Sequence, residues 1–195
     1  MDGSPFPADW TVRRARDVYL AENGFTEAEY DAKWTHGLFF GIPFVVPNTK
    51  KHRWAIRLHD LHHVALGFGT DLAGEAEISA WEVRGLRFLG PYVGTIVAGG
   101  MLLGGVVAPK RTLDAFRAGK GCRSLWELDL DYESLLAMTV GELRALLGVP
   151  EGGVATTPRK LHGRAPTPPS SSVAHRAARE EEGSRPTPRA ARPTA

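Results

Sequence analysis

The chain has 195 residues, a formal net charge of +2 and one cysteine, enough for a single domain of ordinary size and a tail. From Glu151 onward eight Lys/Arg stand against four Glu, which leaves the first 150 residues at −2 and excludes a basic nucleic-acid binder by composition. The lone Cys122 rules out an internal disulfide and suits a reducing, cytoplasmic setting.

At the N-terminus, Met-Asp-Gly-Ser-Pro-Phe-Pro has neither a basic start nor an apolar core, so residues 1–9 read as a flexible leader without a secretory signal. Between Trp10 and Asn23, Val12, Ala15, Val18 and Tyr19 recur at helical spacing, and Gly24 closes the element. Thr26-Glu27-Ala28-Glu29 is a capping-box pattern that opens a short helix toward Trp34. The run from Gly37 to Pro47 is apolar and broken by proline; it reads as a buried loop, with the wall of an apolar pocket as the functional alternative. No stretch alternates in the manner of a half-buried strand, so the expected fold is all-α.

Thr49 can cap the next helix, along which Trp54, Leu58, Leu61 and Ala65 form one apolar stripe. On roughly the opposite side His52, Ile56, His59 and His63 form another, so this helix is expected to be central. His59 and His63 are four apart and share a face, with Asp60 at its edge. Gly67 and Gly69 stop the helix, Asp71 can cap the next, and Glu75 lies about one turn into it. If the two helices fold back on each other, His59, Asp60, His63 and Glu75 converge as nitrogen and oxygen ligands for Zn2+ or another divalent cation. His52 shares the ligand face but lies two turns away, too far for the same ion. His62 points to a flank and reads as structural or exposed. Arg57 is placed to pair with Asp60 across one helical turn. Ser79 and Glu82 fall on the face of Glu75, and Glu82 reads as a solvated or helix-pairing charge.

His59-Asp60-x-x-His63, eleven residues and then Glu75 resembles the zinc-ligand motif of the coenzyme Q (ubiquinone) biosynthesis family that acts at ring carbon 1. The intervening Gly-Phe-Gly-Thr-Asp-Leu-Ala-Gly is similar to that family's connecting turn, although His62 stands where the family often carries an aromatic. The resemblance covers roughly Trp10 to Pro150. It implies a metal-dependent lyase that removes the carboxyl from carbon 1 of a polyprenylated 4-hydroxybenzoate, with hydroxylation of that carbon as part of the proposed chemistry. Its implied partners are the polyprenylated aromatic substrate or an isoprenoid lipid and other quinone-biosynthesis proteins, at the inner face of a membrane.

Farther on, Phe88 to Ala108 contains no charged residue and is long enough for a membrane span. Gly90-Pro91 breaks it near the start, and five further glycines favour a buried helix packed through small residues. A face presented to lipid or an isoprenoid tail is the second reading, and a true span the third. Thr112 to Ala118 reads as a short helix closed by Gly119. Ser124–Glu127 and Thr139–Glu142 are further capping boxes, and Gly148 with Pro150 stops the last helix. Residues 151–195 hold seven of the fourteen prolines and almost no large apolar side chain, so they are expected to form a disordered basic tail.

Two rival functions come from other classes. An HD-type metal phosphohydrolase would need His36 and Asp114 as further ligands, and leaves Glu75 unexplained. A non-catalytic isoprenoid-binding scaffold would use zinc only as a structural staple.

Overall fold

Helix boundaries in this chain are set by side chains that satisfy the otherwise unpaired amides of each first turn. In the computed structural model, which describes residues 6–39 and 42–156 (36–44 by backbone only), Thr11 accepts from the Arg14 N–H and starts α1, Val12–Glu22. Thr49 accepts from His52 and starts α2, Lys50–Leu66. Asp71 accepts from Gly74 and starts α3, Leu72–Glu82. A 3-10 turn at Glu27–Asp31 carries the capping box that begins at Thr26. The remaining helices are α4, Leu86–Val107; α5, Pro109–Ala118; α6, Tyr132–Ala137; and α7, Val140–Leu147. The described fold is therefore mostly helical, as expected.

α2 is the central element. Leu58, Leu61, Val64, Ala65 and Leu66 are all buried, and α1, α4, α7 and two 3-10 turns surround the helix. Burial also takes in His52, Asp60, His62 and His63, so the polar stripe of α2 faces protein rather than water. Gly67 in the left-handed region (φ 84°) ends α2, a conformation that glycine adopts without steric cost. The chain then turns into α3, which packs on α4 and α5. That turn is tight: a Cβ on Gly74 would collide with the backbone carbonyl of Gly69.

Four expectations are corrected. Residues 34–47 form an antiparallel hairpin, β1 Trp34–Phe39 and β2 Ile42–Pro47, with Trp34 opposite Pro47 and Phe39 opposite Ile42. Pro43, Pro47 and Gly37 hide its strands from pattern reading; a two-stranded ribbon has open edges, and these tolerate proline. The leader is packed from Phe6 onward. Phe6 is buried, its carbonyl accepts from buried Arg144, and the Ala8 carbonyl accepts from the Gly141 N–H.

The charge-free run of α4 is buried along one side only. Gly100 meets Ser79 and Gly104 meets Ala76 and Thr112, so the small-residue packing exists. Leu102 and Val106, however, are 75% and 80% exposed. Gly90 (φ 73°) kinks the helix just before Pro91. Residues 151–156 of the expected tail pack on the core, where the Val154 and Ala155 N–H groups donate to the Leu66 carbonyl. The rest of that tail lies outside the described residues.

Candidate metal centre

Three of the four residues picked from the sequence come together. His59 and His63 project from successive turns of α2, and their Nε2 atoms lie 3.2 Å apart. Glu75, in the first turn of α3, places one carboxylate oxygen 3.4 Å from His59 Nε2 and the other 3.5 Å from His63 Nε2. The partial positive charge at the start of α3 favours a carboxylate at that position.

The far side of each imidazole fixes which nitrogen is available. His63 Nδ1 faces the Phe68 carbonyl at 3.2 Å, and a carbonyl only accepts, so Nδ1 carries the hydrogen. His59 Nδ1 lies 2.9 and 3.0 Å from the two oxygens of Glu82 and donates to that carboxylate. Both rings in their neutral form therefore aim Nε2 lone pairs at one point, with Glu75 beside it. Such an arrangement is satisfied by a bound cation or by a proton on one imidazole.

A tetrahedral divalent ion with ligand bonds of about 2.0–2.2 Å has edges of roughly 3.3–3.6 Å. The two Nε2 atoms, 3.2 Å apart, lie close to that range, and each carboxylate oxygen of Glu75 approaches one of them at 3.4 or 3.5 Å. The donor set of two imidazoles and one carboxylate, with each histidine backed by an acceptor, is that of open zinc sites. His59, His63 and Glu75 could thus hold a metal ion. Their side chains leave an access route, since Glu75 is 43% and His59 23% exposed while His63 is fully buried.

Asp60, the fourth expected ligand, is not brought into this group. Its carboxylate instead accepts from the hydroxyls of Tyr19, at 3.4 Å, and Tyr30. Burial pushes its carboxyl above the usual range, against the opposing pull of His59 and Tyr30. Tyr19 also stacks on the His63 ring, with centroids 5.3 Å apart. Asp60 therefore orders the ring that backs a ligand. Arg57 pairs with Asp31 at 3.1 Å rather than with Asp60. His52 sits against Tyr92 and away from the group.

Glu82 is the residue misread from sequence. It is fully buried and receives hydrogen bonds from His59 Nδ1 and, at 2.6 Å, from His62 Nδ1. The Leu125 N–H donates to His62 Nε2 at 3.0 Å, so His62 is a neutral ring with its hydrogen on Nδ1. Burial holds its pKa below the ordinary histidine value. Burial would raise Glu82, but the two histidines hold it down to about 2. For Glu75 the facing histidines likewise override burial and hold the carboxyl well below its usual range. Burial would lower His59, yet Glu82 and Glu75 raise it. A signal for Glu82 was present: seven residues after Glu75 is two helical turns, the same face of α3.

Asp114, required by the phosphohydrolase rival, pairs with Lys110 at 2.6 Å on α5 and does not join the group. The His36 side chain lies outside the described residues. Comparison with protein-family models, curated proteins and solved structures finds no match for this chain.

Proposed function

We propose that this chain is a divalent-metal lyase of the ubiquinone-biosynthesis type, removing the carboxyl at carbon 1 of a polyprenylated 4-hydroxybenzoate or a related aromatic acid. The observation that supports it most is the clustering of two Nε2 atoms and the Glu75 carboxylate within 3.2–3.5 Å contacts, with an approach from solvent. His59, His63 and Glu75 would hold a zinc or similar ion, which would supply Lewis-acid stabilisation of negative charge on a carboxylate or phenolate.

The protein's own groups do the rest. Glu82 and the Phe68 carbonyl hold the imidazoles in one tautomer, and Tyr19 fixes the plane of His63. In the reaction the bond from carbon 1 to the carboxyl carbon breaks, carbon dioxide leaves, and the electron pair stays on the ring. A proton from solvent, which reaches the Glu75 side, then fills that carbon. An isoprenoid chain is apolar along its length, and the charge-free segments 37–47 and 88–108 are the matching parts of this protein.

The test is incubation of metal-loaded protein with a polyprenyl 4-hydroxybenzoate, following release of carbon dioxide and the decarboxylated phenol. Turnover that His63→Ala abolishes supports the reading, whereas tightly held metal without turnover on any such acid would sink it. That second outcome favours a lipid-binding scaffold stapled by metal, a reading supported by the exposed apolar side of α4.

A further inference from the structure

One surface of the molecule has no explanation in the metal centre. Along α4, Tyr92, Ile96, Leu102 and Val106 are exposed, and no charged residue occurs from Phe88 to Ala108. From Tyr92 to Val106 this face extends about 21 Å at the helical rise. Gly99 and Gly105 have nothing near them. A contiguous exposed apolar face of this kind marks an interaction site.

The hairpin continues the surface. The Tyr92 hydroxyl donates to the Pro47 carbonyl at 3.3 Å, and Pro47 pairs with Trp34 across the ribbon. Trp34 and Val45 lie two register positions apart on one face, and both are exposed. Beside this junction stands a group of cations. Lys33 precedes Trp34, and Lys50 and Lys51 open α2 directly before His52, whose ring packs edge-on against Tyr92 at 5.7 Å. All three lysines are exposed, and none has an acidic partner among the described residues. Lys51 instead lies over the Trp54 ring at 4.0 Å. An apolar strip bordered by unpaired lysines and an exposed tryptophan is complementary to one surface chemistry: acyl chains beneath anionic headgroups.

We propose that α4 and the base of the hairpin dock this protein on an anionic lipid bilayer, with Leu102 and Val106 entering the acyl region and Lys33, Lys50 and Lys51 meeting the headgroups. By length and composition the helical run Leu72–Val107, which includes α4, could cross a membrane. The fold assigns α4 a surface position instead, because Gly100 and Gly104 fix its other side against α3 and α5. The lysines favour a bilayer over a second copy of the chain, since a symmetric pairing through this face would bring like charges together. The docking does not depend on which reaction the metal centre performs.

The test is co-sedimentation of the full chain with vesicles of phosphatidylcholine alone and of phosphatidylcholine mixed with phosphatidylglycerol, with light scattering of the protein by itself. The expected result is binding to the anionic vesicles that weakens with salt. Leu102→Asp with Val106→Asp should abolish it, and Lys50→Glu with Lys51→Glu should weaken it on the order of tenfold. Circular dichroism and metal content of both variants should match wild type, because every altered side chain is exposed. Absence of vesicle binding would overturn the proposal. So would binding that survives both double variants, which would assign attachment to the basic tail, or a dimer that the aspartates dissolve, which would assign the face to a second copy.

Discussion

A fully buried carboxylate stays ionised only where donors replace the water it has lost. Glu82 has two, the Nδ1–H groups of His59 and His62, which outweigh the burial that would raise its pKa. Glu82→Gln should keep the fold but leave His59 with a weaker acceptor. Loss of a group backing a metal ligand typically costs 10–100-fold in affinity, and that drop should appear in a competition titration with a zinc chelator. The carboxyl is depressed from 4.5 to about 2, so its contribution to stability is full above the upper value and disappears as pH falls toward the lower one. Metal-free wild type should therefore lose melting temperature across that acid window, and Glu82→Gln should show a shallower loss. Asp60→Asn should retain metal, because the Asp60 carboxylate faces Tyr19 and Tyr30. Loss of the ion in that variant, measured by elemental mass spectrometry, would restore Asp60 as a direct ligand.

The connection between α2 and α3 sets the distance from the histidine pair to Glu75. Gly74 approaches the Gly69 carbonyl so closely that a Cβ has no room, and backbone cannot yield as a flexible side chain can. Gly74→Ala should lower the melting temperature by several degrees, on the scale of about 2–4 °C per kcal/mol for a domain of about 150 residues, and should displace Glu75 and any bound metal with it. Gly99→Ala meets open space within a helix and should leave stability unchanged or raise it. At this scale much was legible. Thr49, Gly67 and Asp71 place the ends of α2 and α3 through local capping chemistry, which a sequence carries in full. The hairpin was not legible because its prolines and glycines interrupt alternation. The spacing puts Glu82 on the face of Glu75, but its burial and the one-sided exposure of α4 were not legible. Both depend on which elements pack against α3, and a charge-free helix reads the same whether protein or lipid covers it.

Across the whole molecule, an ion held by His59, His63 and Glu75 would tie the central helix α2 to α3, whose own packing is chiefly with α4 and α5. A ligand that binds only the folded state stabilises it in proportion to the logarithm of its excess over Kd. Removing the ion with a chelator should therefore lower the melting temperature, and adding zinc back should restore it. Without that tie, the facing Nε2 atoms of His59 and His63 favour a proton between them, and Glu82 and Glu75 raise the His59 pKa in the same direction.

The most direct measurement is the metal content of the purified full chain by mass spectrometry, beside His63→Ala and Glu75→Ala. About one divalent ion per chain in wild type, lost in both variants while their circular dichroism stays helical, is the predicted result. A wild-type protein without metal, or an ion unaffected by losing Glu75, would contradict the three-ligand centre.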